Sequence, residues 1–177
     1  MGGVPGAFAK CQNSADAAGL DGTYKAWIVG NGQGPLFSFA HSADLDSYPY
    51  HLVDTQSGLG QRVAANWDDL VDGNLEHSIN VDEYGNTVND GTKVWTAVTK
   101  EGSPQQDWTC KTPGDPTPKW QYDGSLRKGG FGTVGYLNGK WTYSGVAQCN
   151  TMKRLYCFQQ DVSYVSLFCQ LLSSLHT

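Results

Sequence analysis

Apolar residues occur along the chain in short segments bounded by glycine, asparagine or aspartate. Over residues 6–18 they recur at spacings of three and four, which predicts a helix that ends at Gly19. The apolar run 24–29 lies between two turn signals and predicts a buried strand. Residues 66–71 predict a short helix, because Asn66 can cap its first turn and two aspartates follow.

The remaining predicted strands are short and come mostly from the second half of the chain. They cover residues 50–53, 94–98, 140–143 and 154–158. Between Cys110 and Trp141 lies a long stretch rich in proline and glycine, which predicts an irregular loop. Residues 161–177 contain no glycine or proline. This change of composition indicates a domain over residues 1–160 followed by an appended tail.

The composition indicates a folded protein and disfavours several classes of binding partner. The chain has 177 residues, 39% hydrophobic and 16% charged, which is enough for one folded domain and unlike a disordered segment. Its net charge is −5 and it contains no run of lysine or arginine, which disfavours binding to nucleic acid or to an anionic membrane. No segment reaches the roughly 18 apolar residues of a membrane helix, so no membrane insertion is predicted.

The chain contains five cysteines, and the positions of four of them suggest two disulfide bridges. Cys11 is early, Cys110 is central, and Cys149 and Cys157 form a late pair; four cysteines allow three pairings. Bridges in a small glycine-rich domain indicate an extracellular or cell-surface protein, so we expect the secretory leader to be missing from this chain. Cys169, in the tail, is interpreted as an unpaired thiol.

An ordered series of short motifs resembles a known family. It includes Tyr-Lys-Ala-Trp-Ile at 24–28, Trp-Asp-Asp-Leu at 67–70, Trp-Thr-Cys at 108–110 and Leu-Tyr-Cys at 155–157. The series is similar to endostatin and, more broadly, to the C-type lectin-like superfamily. It most resembles the bacterial endostatin-related domains of unknown function. The resemblance implies an α+β fold with one or two short helices on a twisted, mostly antiparallel sheet and long irregular loops.

The same resemblance implies nested bridges, Cys11–Cys157 outside and Cys110–Cys149 inside. The alternative, in which Cys149 bonds Cys157 and Cys11 bonds Cys110, remains open from the residues alone. Such folds also have a strand before the first helix, and here that strand is largely missing. We therefore expect the last strand to expose an edge, which tail residues 162–168 can cover by folding back.

Residues 80–91 concentrate oxygen donors of the kind that calcium binds. The candidate ligands are Asp82, Glu83, Asn86, Asn89 and Asp90. Their spacing is not that of an EF-hand, and the alternative is a solvated loop that contains two turns. The residue triplets of the usual lectin sugar site are absent, so calcium-dependent sugar binding by that route is disfavoured.

The sequence contains little that indicates a catalytic site or a transition-metal site. The four histidines are scattered, with no spacing typical of a metal site, and neither the zinc site nor the arginine-rich heparin face of endostatin carries over. The chain also lacks a nucleophile elbow and a His-Glu-x-x-His motif, so no enzymatic activity is predicted.

The tryptophans divide into two groups. Four fall in predicted helices or strands and are assigned to the core: Trp27, Trp67, Trp95 and Trp141. Trp108 and Trp120 flank the long loop and, with Asp115, are the candidate ligand-binding residues on a surface formed by 80–91 and 111–135. The leading hypothesis is a recognition or adhesion domain that binds protein or glycan; the alternative is a structural module without its own ligand.

Overall fold

A computed structural model describes residues 1–30, 34–39, 48–56, 59–105, 107–111, 114 and 120–160, together with the backbone of 167–171. Apart from α1, its helices and strands have six residues or fewer. In chain order they are α1 (Gly3–Ala17), β1 (Tyr24–Ala26), α2 (Pro35–Ser38), β2 (Tyr50–Leu52), β3 (Arg62–Ala64), α3 (Trp67–Leu70), β4 (Lys93–Trp95), β5 (Lys128–Thr133), a 3₁₀ turn (Gly139–Trp141), β6 (Gly145–Gln148), β7 (Tyr156–Gln159) and β8 (Leu167–Leu171).

The larger sheet has the strand order β1-β7-β8-β2-β3. Strand β7 runs antiparallel to β1 on one side and to β8 on the other, and β8 runs parallel to β2. Residues 167–171 of the tail therefore pair with the last strand of the predicted domain through their backbone. Of the segment 162–168 predicted to cover that strand, residues 162–166 lie outside the described residues. The pairing uses Leu167–Leu171, which begins near the end of the predicted covering segment.

The smaller sheet is antiparallel, in the order β4-β5-β6. Its central strand falls inside the segment that the sequence assigned to an irregular loop, so that prediction is wrong for 128–133. The glycines of β5 serve close packing rather than turns: a Cβ at Gly132 would lie 1.9 Å from the carbonyl oxygen of Trp141. A Cβ at Gly129 would lie 2.8 Å from the rings of both Trp95 and Trp120.

An aromatic cluster around Trp27 fills the core between the helices and the sheets. The ring of Trp27 lies 5.0 Å from that of Trp141 and 5.3 Å from that of Phe158, measured between centroids. Its indole N–H donates to the hydroxyl of Thr142 at 2.7 Å, so the buried polar atom is satisfied. The four tryptophans predicted for the core are all at most 5% exposed.

Local signals account for several element boundaries. The side chain of Asn66 accepts a hydrogen bond from the backbone N–H of Asp69 at 2.9 Å, which confirms the predicted cap of α3. The strand predicted over 140–143 is wrong, because this segment enters the 3₁₀ turn. There the side chain of Asn138 accepts from the N–H of Lys140 and favours a turn over an extended chain.

Two disulfides connect these elements. Cys11 of α1 is bonded to Cys157 of β7, and Cys110 is bonded to Cys149 at the end of β6. This is the nested pairing that the resemblance implies, and all four sulfur-bearing residues are at most 3% exposed. The protein is thus an α+β domain with short helices on mostly antiparallel sheets and two buried disulfides. Among the described residues, none of the helices has the length and apolarity to cross a bilayer.

Candidate functional site

The 80–91 loop folds around Asp82. Its carboxylate accepts the backbone N–H groups of Tyr84 at 3.0 Å and Asn86 at 2.9 Å, and the side-chain amide of Asn86 at 3.2 Å. These bonds hold the turn that the sequence offered as the alternative to a calcium site. Asp82 and Glu83 are buried, whereas Asn86, Asn89 and Asp90 are exposed.

No group of three or more acidic, histidine or cysteine side chains is arranged to hold a metal within the part of the chain that is described, which includes all of 80–91. Asp90 packs instead against Gly135, where an added Cβ would lie 2.6 Å from its carboxyl carbon. The five candidate ligands are therefore either buried in the loop or exposed to solvent, and their carboxylates do not form a cluster.

Trp120 is a core residue, and its assignment to the binding surface is wrong. Only 2% of it is exposed, its ring lies 5.4 Å from that of Trp95, and its indole N–H donates to the carbonyl of Val29 at 2.7 Å. The glycine at position 129 leaves the space that the indole occupies. Asp115, the other candidate beside it, lies outside the described residues.

Trp108 is 37% exposed, as the binding hypothesis requires. Its backbone is fixed at both sides: the N–H donates to the carbonyl of Gln105 at 3.1 Å, and the carbonyl accepts from Gly130 at 2.7 Å. The 80–91 loop meets Val134 and Gly135, near the other end of β5. At about 3.3 Å per residue the two regions lie roughly 16 Å apart, so the structure does not join them into one surface.

A cleft of about 410 Å³ lies next to Gln105, whose backbone carbonyl accepts the N–H of Trp108. One wall is the turn after β4, where Thr99 donates to Ser103 and Gln105 donates to Ala97 through their backbones. The other wall is the 3₁₀ turn and the residue Tyr143 that follows it. The lining side chains are mostly polar or charged: Thr99, Lys100, Glu101, Gln105, Asn138, Lys140 and Tyr143, with Gly139 between them.

Two ionisable groups of this cleft, Glu101 and Tyr143, have shifted pKa values. Hydrogen bonds from Lys100 and Thr99 lower the pKa of Glu101 to about 2, and the ammonium of Lys100 lies 2.9 Å from the carboxylate. Burial raises the pKa of Tyr143, so its phenol stays protonated and can donate or accept a hydrogen bond. The ammonium of Lys140 lies 5.3 Å from the ring centroid of the exposed Tyr136.

A second cleft, of about 370 Å³, lies between 52–61 and 81–86. Tyr84 is 49% exposed at this cleft, and its carbonyl accepts a hydrogen bond from the hydroxyl of Thr55. Of its lining residues, Asp54 accepts the backbone N–H of Gln56 through its carboxylate. The lining is again mostly polar, but it contains no lysine or arginine, unlike that of the cleft next to Gln105.

The sequence did not indicate the residues that line the first cleft. Lys100 and Gln105 lie more than thirty residues before Asn138 and Tyr143, and pairing of β4, β5 and β6 brings the two segments together. Asn138-Gly139 is a local turn signal, but it says nothing about the opposite wall. The sequence indicates only Trp108, which is bonded to the lining residue Gln105, from its place beside the proline- and glycine-rich stretch.

Comparison with known proteins adds no relative to this description. A scan against models of protein families finds no match to the chain, and a search of curated proteins finds none either.

Proposed function

We propose that the chain is an extracellular or cell-surface, non-catalytic recognition domain of the C-type lectin-like, endostatin-related class. Two buried disulfides support the compartment, since such bonds persist in oxidising surroundings. Short helices on mostly antiparallel sheets, with the first helix bonded to a late strand, support the class. The order of motifs along the sequence remains the argument for the specific fold.

The ligand proposed for the cleft next to Gln105 is a glycan. The carrying observation is a cleft lined by ammonium groups, amides, a carboxylate and a phenol, in which the lining residue Gln105 is hydrogen-bonded through its backbone to the partly exposed Trp108. Sugar hydroxyls both donate and accept hydrogen bonds, and an aromatic ring packs on the apolar face of a sugar. Gln105 connects the two features, because it lines the cleft and accepts the N–H of Trp108.

The ionisation of the cleft supports binding rather than acid–base catalysis. A general acid or base works best with a pKa near the operating pH. Here the pKa of Glu101 is about 2 and that of Tyr143 is raised above its ordinary value, so neither group exchanges a proton readily at neutral pH. The carboxylate of Glu101 can accept a hydrogen bond from a ligand, and the phenol of Tyr143 can donate or accept one.

A glycan and matrix-protein array, probed with and without calcium, tests the proposal. Wild-type protein should bind at least one glycan saturably, and Trp108→Ala and Gln105→Ala should each weaken that binding by tenfold or more. Phe37→Ala is the matched control, because Phe37 is an exposed aromatic that does not line the cleft. Equal binding by all three variants would show that the cleft is not the site.

The second candidate is a structural module with no ligand of its own. Burial of five of the six tryptophans favours it, because these indole rings pack in the core and are not accessible to a ligand. The same array separates the two candidates. Absence of saturable binding under every condition would support the structural module and refute the recognition domain.

A further inference from the structure

Two lysines surround Phe131 on one face of the smaller sheet. The ammonium of Lys93 lies 5.1 Å from the ring centroid of Phe131, and that of Lys153 lies 5.5 Å from the same centroid. Lys153 also lies 4.2 Å from the ring centroid of Trp95. The two nitrogens are therefore less than about 11 Å apart, the sum of the two distances to the shared ring.

This face is opposite to the cleft. Successive side chains of a strand point to opposite sides of the sheet. Phe131 follows Gly130, and a Cβ added at Gly130 would lie 2.9 Å from the ring of Tyr143, which lines the cleft. A ligand on the lysine face is therefore independent of the glycan proposed for the cleft.

Hydroxyl groups fix both ammonium groups in place. Lys93 donates to the hydroxyl of Thr133 at 3.1 Å, and Lys153 donates to the hydroxyl of Thr151 at 2.7 Å. Thr133 is in turn hydrogen-bonded to Ser144. An ammonium has three donors, so each lysine keeps donor capacity after these bonds.

Neither lysine forms an ion pair with any carboxylate in the described part of the chain. The three ion pairs found there join Arg62 to Glu76, Lys100 to Glu101, and Lys111 to Asp107. The whole chain has 17 acidic residues against 12 lysines and arginines, so carboxylates are in excess. Burial, and then the charge of Lys93, lowers the pKa of Lys153, as expected for two like charges without a shared anion.

We propose that this face binds an acidic peptide segment of a partner protein, with carboxylates at alternate positions of an extended chain. Residues two apart in a strand are about 7 Å from each other, which lies within the upper limit of about 11 Å for the separation of the two ammonium groups. A sugar is the poorer fit, because the ammonium groups cover Phe131 and the ring of Trp95 is buried. Little aromatic surface is left there for a pyranose.

The probe is a fluorescein-labelled peptide of alternating glutamate and threonine, and its matched control alternates glutamine and threonine. Fluorescence anisotropy should show saturable binding of the acidic peptide that weakens as salt is raised, and no binding of the neutral one. The double variant Lys93→Gln/Lys153→Gln should weaken binding at least tenfold. Lys10→Gln/Lys128→Gln, which removes the same net charge elsewhere, should change it less than twofold.

A second measurement does not depend on variants. The acidic peptide should protect Lys93 and Lys153 of the wild-type protein from acetylation by an N-hydroxysuccinimide ester, read by mass mapping, while Lys128 reacts as before. Equal affinity of the two double variants, tighter binding of a uronate oligosaccharide at these lysines, or no binding of the peptide at 1 mM would each overturn the proposal.

Discussion

Removing the outer disulfide should cost more stability than removing the inner one. The perturbations are the double variants Cys11→Ala/Cys157→Ala and Cys110→Ala/Cys149→Ala, each studied with the other bridge intact. A disulfide acts largely by restricting the unfolded chain, so its effect grows with the length of the loop that it closes. All four residues are at most 3% exposed, so the loss of buried sulfur is similar in the two variants.

The loop lengths give the magnitude. The outer bridge joins residues 146 positions apart and the inner bridge residues 39 apart. The loop-closure relation then gives about 5 kcal/mol for the outer bridge and about 4 kcal/mol for the inner one, both as upper values. We expect the two variants to differ by about 1 kcal/mol. Since a domain is stable by about 5–15 kcal/mol, either loss is a large fraction of the total.

Urea unfolding at 25 °C, followed by tryptophan fluorescence, measures both losses. Five of the six tryptophans are buried, which makes the fluorescence a direct report of the core. The midpoint and slope must be fitted together, because a chain without a bridge exposes more surface on unfolding. An inner-bridge variant as unstable as the outer one, or a loss below about 1 kcal/mol in either, would refute the reasoning from loop length.

Three further predictions concern single residues and use the same unfolding assay. Gly132→Ala should cost more than about 3 kcal/mol, because its Cβ would lie 1.9 Å from the backbone oxygen of Trp141; a loss under 1 kcal/mol would contradict this. Asn66→Ala should cost about 1 kcal/mol through the lost cap of α3, and Asn66→Asp should restore it. Glu101→Gln should cost at most about 1 kcal/mol at pH 7, because its ion pair with Lys100 is open to solvent. The pKa of Glu101 is depressed from 4.5 to about 2 in the folded state, so this contribution should be complete above pH 4.5 and lost as pH falls towards 2; a wild-type advantage that persists at pH 2 would contradict it.

The sequence was most informative where a feature is local or covalent. Asn66 caps α3 by accepting the N–H of Asp69, three residues later, so the local sequence is enough to predict the cap. The spacing of apolar residues identified α1, which the structure extends by three residues at its start. The disulfide pairing depended on the resemblance, because the residues alone left three pairings open.

The sequence was least informative where distant segments meet. Glycines 129, 130 and 132 look like turn residues, yet they form a strand because tryptophans and a tyrosine pack against them. Trp120 looked exposed for the same reason: its burial depends on a space left by a glycine nine residues later. The cleft has two walls from separate parts of the chain, and no local pattern relates them.

The two bridges act on different parts of this architecture. The outer bridge ends on β7, which is buried along its whole length and pairs with β1 and β8, so it stabilises the centre of the larger sheet. The inner bridge ends two residues after Trp108 and one residue after β6. It therefore holds the segment around Trp108 against the smaller sheet, on the face that also carries Phe131 and the two lysines. Segments with little regular structure can keep a defined surface here because a covalent bond supplies the constraint that short strands do not.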